Sequence, residues 1–287
     1  MIPSFTVVTP SWNQLDWLKL CAASVADQAG VEVEHIVQDA GSGAELEAWA
    51  ASRPGLKLRV ERDEGMYDAI NRGLRRAQGD VCSYLNCDEQ YLPGALAEVG
   101  DYFARHPHVE MVLGDAVVID AEGKPICYRR MVLPSRVHTS LSHLAAFTCS
   151  IFFRRSIVER GLLFDTSWKC IGDAVWVDAL LERNVKMAVL PKPLAAFTVT
   201  GENLSQSPRF QQELARWRTR PGAPPRWLTG PVVLHHRLRR LLAGAYARRA
   251  LSLELYGRDS LDRRKLATVR RLGNRWSNVG AWPGNAG

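Results

Sequence analysis

The chain has 287 residues, of which 46% are hydrophobic and 23% are charged, as in an ordinary globular protein. This length suits one large domain or one domain with an appendage. No stretch approaches the roughly 18 apolar residues of a membrane span, so we do not expect one. The sequence enters a strand-like pattern without a basic or apolar leader, and its six cysteines form no metal-ligand spacing. We therefore expect reduced thiols and a cytoplasmic location.

The net charge of +7 is unevenly distributed along the chain. Residues 216–287 hold 16 Lys and Arg against three acids, a balance of +13, whereas residues 1–215 have a balance of −6. A basic tail on an acidic domain indicates contact with something anionic. No RNA- or DNA-binding motif accompanies the charge, so we do not expect nucleic acid to be the partner.

The first hundred residues alternate between strand-like and helix-like patterns. β-Branched or apolar runs predict strands, and apolar residues at helical spacing predict helices between them: strands at 4–9, 33–37, 56–60 and 81–85, and helices at 15–28, 44–52 and 66–77. This β-α-β order, with acidic or glycine-rich turns after the strands, predicts a doubly wound nucleotide-binding half. The polar residues that follow the four strands should then lie along one edge of the sheet.

The fourth predicted strand ends in two adjacent carboxylates, Asp88 and Glu89. Such a pair repels itself unless a cation lies between the two groups. Carboxylate oxygens suit Mg²⁺ or Mn²⁺, and these ions usually complete their shells with substrate phosphates. The alternative is a solvated acidic loop, because most surface acids are solvated.

The second half begins with a predicted helix at 93–103, followed by strands at 111–119, 126–129 and 150–155. Asp173 follows a short glycine turn and opens an apolar helix over 175–181. An acid in this position either caps the helix or serves as a functional carboxylate. The spacing alone leaves both interpretations open.

The C-terminal region follows a proline-rich linker at 221–225. A helical stripe of apolar residues, flanked by arginines, predicts a basic amphipathic helix: Leu234, Leu238, Leu241, Leu242 and Ala245. Such a helix can contact an anionic membrane through 232–275, or it can pack on the parent domain or on a second subunit, which leaves a homodimer open. We interpret the adjacent His235 and His236 as solvated. Trp276 and Trp282 fit either a lipid interface or a core.

Five segments together resemble family 2 glycosyltransferases of the GT-A fold: TPSWNQ, VQDAGSGAE, ERDEGMYDAINRGLRRAQGD, YLNCDEQYLPGAL and IGDAVW. The resemblance covers roughly residues 4–206. It implies an α/β fold with a Rossmann-like nucleotide-binding half and a mixed central sheet. We expect a catalytic domain at 1–207, with a nucleotide-sugar half at 1–100 and an acceptor half at 101–207, and then a basic helical region at 208–287.

The resemblance also implies a function, namely inverting transfer of a sugar from a nucleotide-sugar to a hydroxyl of a saccharide or lipid-linked acceptor. UDP is the expected nucleotide, with dTDP and GDP as alternatives, and Mn²⁺ or Mg²⁺ is the expected cofactor. Such a role belongs to surface polysaccharide or glycolipid synthesis, which is compatible with peripheral attachment to the inner face of the cytoplasmic membrane. The alternative is a non-catalytic nucleotide-sugar-binding or scaffold protein of the same fold. A sugar nucleotidyltransferase is disfavoured because the loop after the first strand lacks a glycine-rich phosphate cradle.

Individual positions inherit roles from the resemblance. Asp173 matches the catalytic base, and Asp88 and Glu89 match the metal ligands. Nucleotide-sugar binding falls on twelve positions: Thr9, Pro10, Ser11, Asn13, Asp39, Asp63, Gly65, Asp68, Asn71, Asn86, Cys87 and Asp88. Asp39 would accept the N3–H of uracil. The chain departs from many relatives at Ala40, at Asn86 and at Thr148-Cys149, where an acid, an acid and His-Gln are frequent.

Overall fold

The computed structural model describes residues 2–201 and 207–275. The strands are β1 Phe5–Ser11, β2 Val33–Asp39, β3 Leu56–Val60, β4 Val81–Tyr84, β5 Glu89–Tyr91, β6 Met111–Asp120, β7 Pro125–Arg129, β8 Ile151–Arg154, β9 Met187–Val199, β10 Arg249–Gly257 and β11 Ser260–Leu272. The helices are α1 Leu15–Ala26, α2 Ala44–Ala51, α3 Met66–Arg75, α4 Ala95–Arg105, α5 Arg136–Leu141, α6 Ser156–Glu159, α7 Gly172–Glu182, α8 Pro208–Arg218 and α9 Thr229–Leu242.

Nine strands form one mixed sheet in the order β3-β2-β1-β4-β8-β6-β9-β5, with β7 paired to β6. The first four strands are parallel, as predicted, because helices α1, α2 and α3 return the chain across the sheet between them. The apolar runs of the two central strands, β1 and β4, are buried on both faces, whereas β3 lies at the edge of the sheet and is largely exposed. Strand β8 runs antiparallel to both β4 and β6 and joins the nucleotide-binding half to the second half.

The C-terminal region is helical only in its first part, which corrects the prediction of a helical region over all of 208–287. Helices α8 and α9 are followed by an antiparallel hairpin, β10–β11. Leu253, Leu255 and Leu272 of the hairpin are buried in one cluster with Val117 and Tyr128 of the main sheet. The hairpin therefore shares the core of the catalytic unit.

Two polar contacts fix the hairpin on α1 and β5. Arg264 forms an ion pair with Asp27 at 2.6 Å. The side-chain amide of Gln90 donates to the carbonyl of Tyr256 at 3.0 Å and accepts its N–H at 2.9 Å. Because Arg264 and Gln90 are both almost fully buried, these contacts hold the hairpin in one orientation.

Helix α9 is the predicted amphipathic helix, and its apolar stripe faces outward. Leu234, Leu238, Leu241 and Leu242 are between 53% and 80% exposed. With about 100° between successive helical residues, His236 lies on the opposite side of α9 from these leucines. It is only 7% exposed, so the expectation of a solvated side chain is wrong for His236, whereas His235 is exposed as expected.

Within the ranges given above, the structure has no helix that is both long and apolar enough to cross a bilayer. The described residues do not include Trp276, Trp282 or residues 202–205, which lie at the end of the predicted catalytic domain.

Candidate active site

The loops that follow β1 and β2 lie side by side at the carboxyl edge of the sheet. Ser11 is in register with Asp39, and the N–H of Ala40 donates to the Ser11 carbonyl at 3.0 Å. Asn13, in a left-handed conformation with φ of 53°, donates its N–H to the hydroxyl of Ser42 at 2.8 Å. The two predicted nucleotide loops therefore form one connected surface.

The carboxylate of Asp39 holds the loop after β2 in place by hydrogen bonds. It accepts the N–H groups of Gly41 and Ser42 at 2.9 and 2.6 Å, and its other oxygen accepts the Ser42 hydroxyl at 2.5 Å. Asp39 is only 1% exposed. Each carboxylate oxygen can accept more than one hydrogen bond, so Oδ1 retains capacity for a ligand N–H.

The loop after β3 brings Asp63, Gly65 and Asp68 to the same edge. Gly65 has φ of 119°, which favours glycine, and it donates its N–H to Asp63 at 2.8 Å. Asp68 accepts the N–H of Glu64 and pairs with Arg72 at 2.8 Å. These contacts place the loop at the start of α3, and they occupy the Asp68 carboxylate with protein partners.

Three of the twelve predicted nucleotide-sugar ligands have buried side chains that are hydrogen-bonded within the protein. The amide of Asn71 holds both backbone groups of Phe164, at 2.8 and 3.0 Å. Thr9 bonds to the ring of His35 at 2.9 Å. The thiol of Cys87 donates to the carbonyl of Pro10 at 3.3 Å. These side chains position the loops, and binding of a nucleotide-sugar by the three residues stays a prediction.

The acidic turn after β4 contains oxygens without partners. Glu89 is fully buried, and its Oε2 accepts the N–H of Asn86 at 2.8 Å. Asn86 Oδ1 and Glu89 Oε1 are buried, and neither has a hydrogen-bond partner within residues 2–201 and 207–275. Burial raises the pKa of Asp88 and of Glu89, and the charge of Asp88 raises that of Glu89 further. In this turn, hard oxygens lack partners and burial disfavours the charged form of two carboxylates. Both features fit a bound divalent cation.

Asp173 lies in the first turn of α7 and faces the nucleotide-binding half. Its Oδ1 accepts the hydroxyl of Tyr67 of α3 at 3.3 Å and the N–H of Ala174 at 2.8 Å. Burial raises its pKa, which the two hydrogen bonds partly offset. A carboxylate with a raised pKa and a single side-chain partner is suited to accept a proton.

A glycine makes the contact between Tyr67 and Asp173 possible. A Cβ at Gly172 would lie 2.6 Å from Cε2 and 2.7 Å from Cδ2 of the Tyr67 ring. The ring is itself buried and stacks on Phe164 with centroids 5.3 Å apart. Any larger residue at 172 would therefore displace the ring or the start of α7.

Tyr84 connects the base to the acidic turn. It is the last residue of β4, and the charges of both Asp173 and Glu89 raise the pKa of its buried hydroxyl, after the larger effect of burial itself. Both acidic groups are therefore close enough to Tyr84 to act on its hydroxyl.

Two contributors were missing from the predicted site residues. Tyr67 lies within the quoted motif segment, but its hydroxyl could not be assigned to Asp173 because the two positions are 106 residues apart. Lys169 donates to the carbonyl of Glu64 at 2.6 Å. This hydrogen bond connects the segment before α7 to the loop after β3. Its only sequence signal is a charge beside the Asp173 segment.

Comparison with solved structures defines the fold. The S. aureus TarS structure in complex with UDP-GlcNAc superposes with a TM-score of 0.59 at 18% identity, over 83% of this chain and 73% of TarS. PcManGT, a mannosyltransferase from Pyrobaculum calidifontis in complex with GDP-Man and Mn²⁺, gives 0.55 at 18% identity, over 85% and 71%. The predicted α/β GT-A fold is confirmed.

The sequence model described as "Glycosyl transferase family 2" matches residues 6–161, more than half of the chain. The chain therefore belongs to glycosyl transferase family 2, as the resemblance predicted. A PGL/p-HBAD biosynthesis glycosyltransferase of Mycobacterium bovis is 32% identical over 122 residues, which are 40% of this chain and 48% of the relative. An uncharacterized glycosyltransferase of Mycobacterium tuberculosis is 37% identical over 92 residues, 31% and 35% of the two chains. The matched segments span half or less of these relatives.

Proposed function

We propose that the protein is a divalent-metal-dependent, inverting glycosyltransferase that moves a sugar from a UDP-sugar to a hydroxyl of a saccharide or lipid-linked acceptor. The observation that supports this most strongly is the position of Asp173, a carboxylate of raised pKa held by Tyr67 beside the loops at the strand ends. Family membership gives the reaction class, and these contacts support the roles that we propose for the residues.

In this proposal Asp173 is the general base. It takes the proton from the acceptor hydroxyl while that oxygen attacks the anomeric carbon and the bond to the diphosphate breaks. The attack comes from the face opposite the leaving group, so the configuration is inverted. The raised pKa brings the carboxylate closer to the operating pH, which improves its strength as a base.

We propose Asp88 as the main metal ligand. Asn86 Oδ1 and Glu89 Oε1, the unpaired oxygens on either side of it in the sequence, are the further candidates. A bound Mn²⁺ or Mg²⁺ would stabilise the negative charge of the departing nucleoside diphosphate. The protein's own part is to present hard oxygens from a short turn at the end of β4, where substrate phosphates can complete the coordination.

The nucleoside would lie on the surface formed by the loops after β1 and β2. We propose that Asp39 receives the N3–H of uracil through its remaining acceptor capacity, and that Pro10, Ser11 and Asn13 line the pocket. Asp63 and Gly65 would close over the diphosphate. TarS has been solved with UDP-GlcNAc and PcManGT with GDP-Man, so both uridine and guanosine donors belong in the test.

A nucleotide screen tests this proposal directly. Ligands that bind only the folded state raise Tm by mass action. We expect UDP with Mn²⁺ to raise Tm more than GDP, dTDP or CDP does, and we expect Asp88→Ala to abolish the part of the shift that depends on Mn²⁺. No shift with any nucleotide would overturn the metal–nucleotide site. Binding without any nucleotide-sugar turnover would favour the scaffold alternative.

The outward face of α9 combines apolar and basic residues. Its four exposed leucines are accompanied by exposed Arg237, Arg226 and Arg248. Apolar residues flanked by cations match an anionic lipid surface, and contact with such a surface would bring the site to a lipid-linked acceptor. We therefore propose that α9 docks on anionic membranes.

Vesicle sedimentation tests the docking. We expect binding to vesicles that contain phosphatidylglycerol, weaker binding to phosphatidylcholine alone, and a loss of both in the double variant Leu238→Glu, Leu242→Glu. The matched control is Val60→Glu, which changes a 43%-exposed residue on β3. Equal binding by the double variant and the control would contradict the proposal.

A further inference from the structure

Three histidines from separate parts of the sequence meet where the C-terminal region contacts the catalytic unit. We call them the histidine cluster: His138, His143 and His236. His138 lies on α5, His143 follows it by five residues, and His236 lies on the buried side of α9. One ring nitrogen from each lies within 4.8 Å of the others. None of these residues belongs to the proposed active site.

One ring of the cluster lacks the hydrogen bonds that a buried imidazole normally has. The rings of His138 and His236 stack with centroids 3.7 Å apart, and both side chains are buried. Neither nitrogen of His138 has a hydrogen-bond partner among the described residues. A buried polar group without a partner is costly, so the cluster is incomplete as it stands.

The third histidine is oriented and accessible. The hydroxyl of Ser142 bonds to Nδ1 of His143 at 2.9 Å, which leaves Nε2 for another partner. Outer hydrogen bonds of this kind fix the tautomer of a metal-binding histidine. His143 is exposed, so an ion can reach the cluster from solvent.

We propose that His138, His143 and His236 bind a Zn²⁺-class transition-metal ion that clips α9 to α5. Imidazole nitrogens suit Zn²⁺ and its neighbours, and a tetrahedral ion at about 2.0–2.1 Å from each nitrogen holds them about 3.4 Å apart. Metal binding requires the stacked rings of His138 and His236 to turn as well as the ring of His143, because an imidazole nitrogen binds a metal in the plane of its ring.

The surrounding charge determines what completes the coordination. Arg239 and Arg240 disfavour positive charge on both His138 and His236. Three protein ligands leave the fourth position of a tetrahedral ion open. Because the arginines attract anions, we expect an anion in that position, where it would also offset their repulsion of the metal ion.

Titration with Co²⁺ and Zn²⁺ tests the clip. The protein should carry the Asp88→Ala change, so that the proposed active-site cation does not contribute and the result is independent of the proposed function. We expect one Co²⁺ per chain with the visible absorption of tetrahedral coordination, displaced by one Zn²⁺, and a rise in Tm with Zn²⁺.

The variants His138→Gln and His236→Gln should lose the Co²⁺ absorption and at least tenfold of the affinity. His235→Gln is the matched control, because His235 is the exposed neighbour on the same helix, and it should bind as the parent does. Far-UV circular dichroism confirms that each variant folds. The proposal is overturned if the parent gives no tetrahedral absorption, or if His236→Gln and His235→Gln bind equally.

Discussion

Replacement of Gly172 by alanine tests the contact that holds the proposed base. The new Cβ would lie 2.6 Å from the Tyr67 ring, where ordinary contacts begin at 3.4 Å. Either the ring or the start of α7 must therefore move by about 0.8 Å, and overpacking of a buried site costs about 1–3 kcal/mol of stability. The ring cannot leave freely, because it is 3% exposed and stacked on Phe164.

The same displacement acts on catalysis through Asp173, the next residue after the substituted glycine. Misplacement of a reacting group by about 1 Å can cost ~10²-fold in rate. We expect Gly172→Ala to lower kcat by about 10–100-fold, while KM for the donor stays close to its original value, because the loops after β1 and β2 are untouched.

The assay is the steady-state release of nucleoside diphosphate with a UDP-sugar, together with Tm from thermal unfolding. Gly230→Ala is the matched control, since no atom lies within 4 Å of its Cβ and it is in helix α9. Alanine there should leave turnover unchanged and raise stability slightly. The reasoning is refuted if Gly172→Ala has the turnover and the Tm of the control.

Three further predictions follow from single contacts. Tyr67→Phe removes the hydrogen bond that lowers the pKa of Asp173, so the base protonates at higher pH and the acid limb of the kcat/KM profile should move upward; an unmoved limb would contradict this. Asn71→Ala leaves both backbone groups of Phe164 unpaired and should cost about 2–4 kcal/mol in urea unfolding. Arg264→Met removes the ion pair with Asp27 and the hydrogen bonds to the carbonyls of Tyr91 and Glu254, so it should lower Tm by several degrees, and an unchanged Tm would show that the hairpin is held by its leucines alone.

The nucleotide-binding half could be predicted from sequence because its signals are local. Each strand is a short apolar run, each helix follows within a few residues, and parallel pairing then places the polar strand ends at one edge. The predicted order of β1 to β4 and their connecting helices is confirmed.

The sequence analysis did not predict strands β9 and β10, because other sequence features masked their strand patterns. Strand β9 contains Pro191 and Pro193, which interrupt its apolar run and coincide with shifts in its register with β6. In β10 the residues Leu251, Leu253 and Leu255 alternate with period two, a strand pattern that the surrounding arginines obscured. Charge alone does not distinguish a basic helix from a basic strand.

At the site, sequence predicted the acidic residues better than it predicted their partners. Asp88 and Asp173 could be placed because their segments match motifs. Asn71 forms its hydrogen bonds with Phe164, and Tyr67 packs against Gly172. In both cases the two residues are about a hundred positions apart in the sequence. Such contacts follow from packing, which no local pattern encodes.

The central claim is that Asp173 and the Asp88 turn form one catalytic centre. The most direct measurement is single-turnover release of UDP from a UDP-sugar, with Mn²⁺ or with EDTA, by the parent protein, Asp88→Ala and Asp173→Asn. We predict that EDTA and Asp88→Ala abolish release, and that Asp173→Asn lowers it by ~10²–10⁴-fold while the Mn²⁺-dependent binding of UDP persists. Undiminished release by Asp173→Asn, or release unaffected by EDTA, would contradict the account.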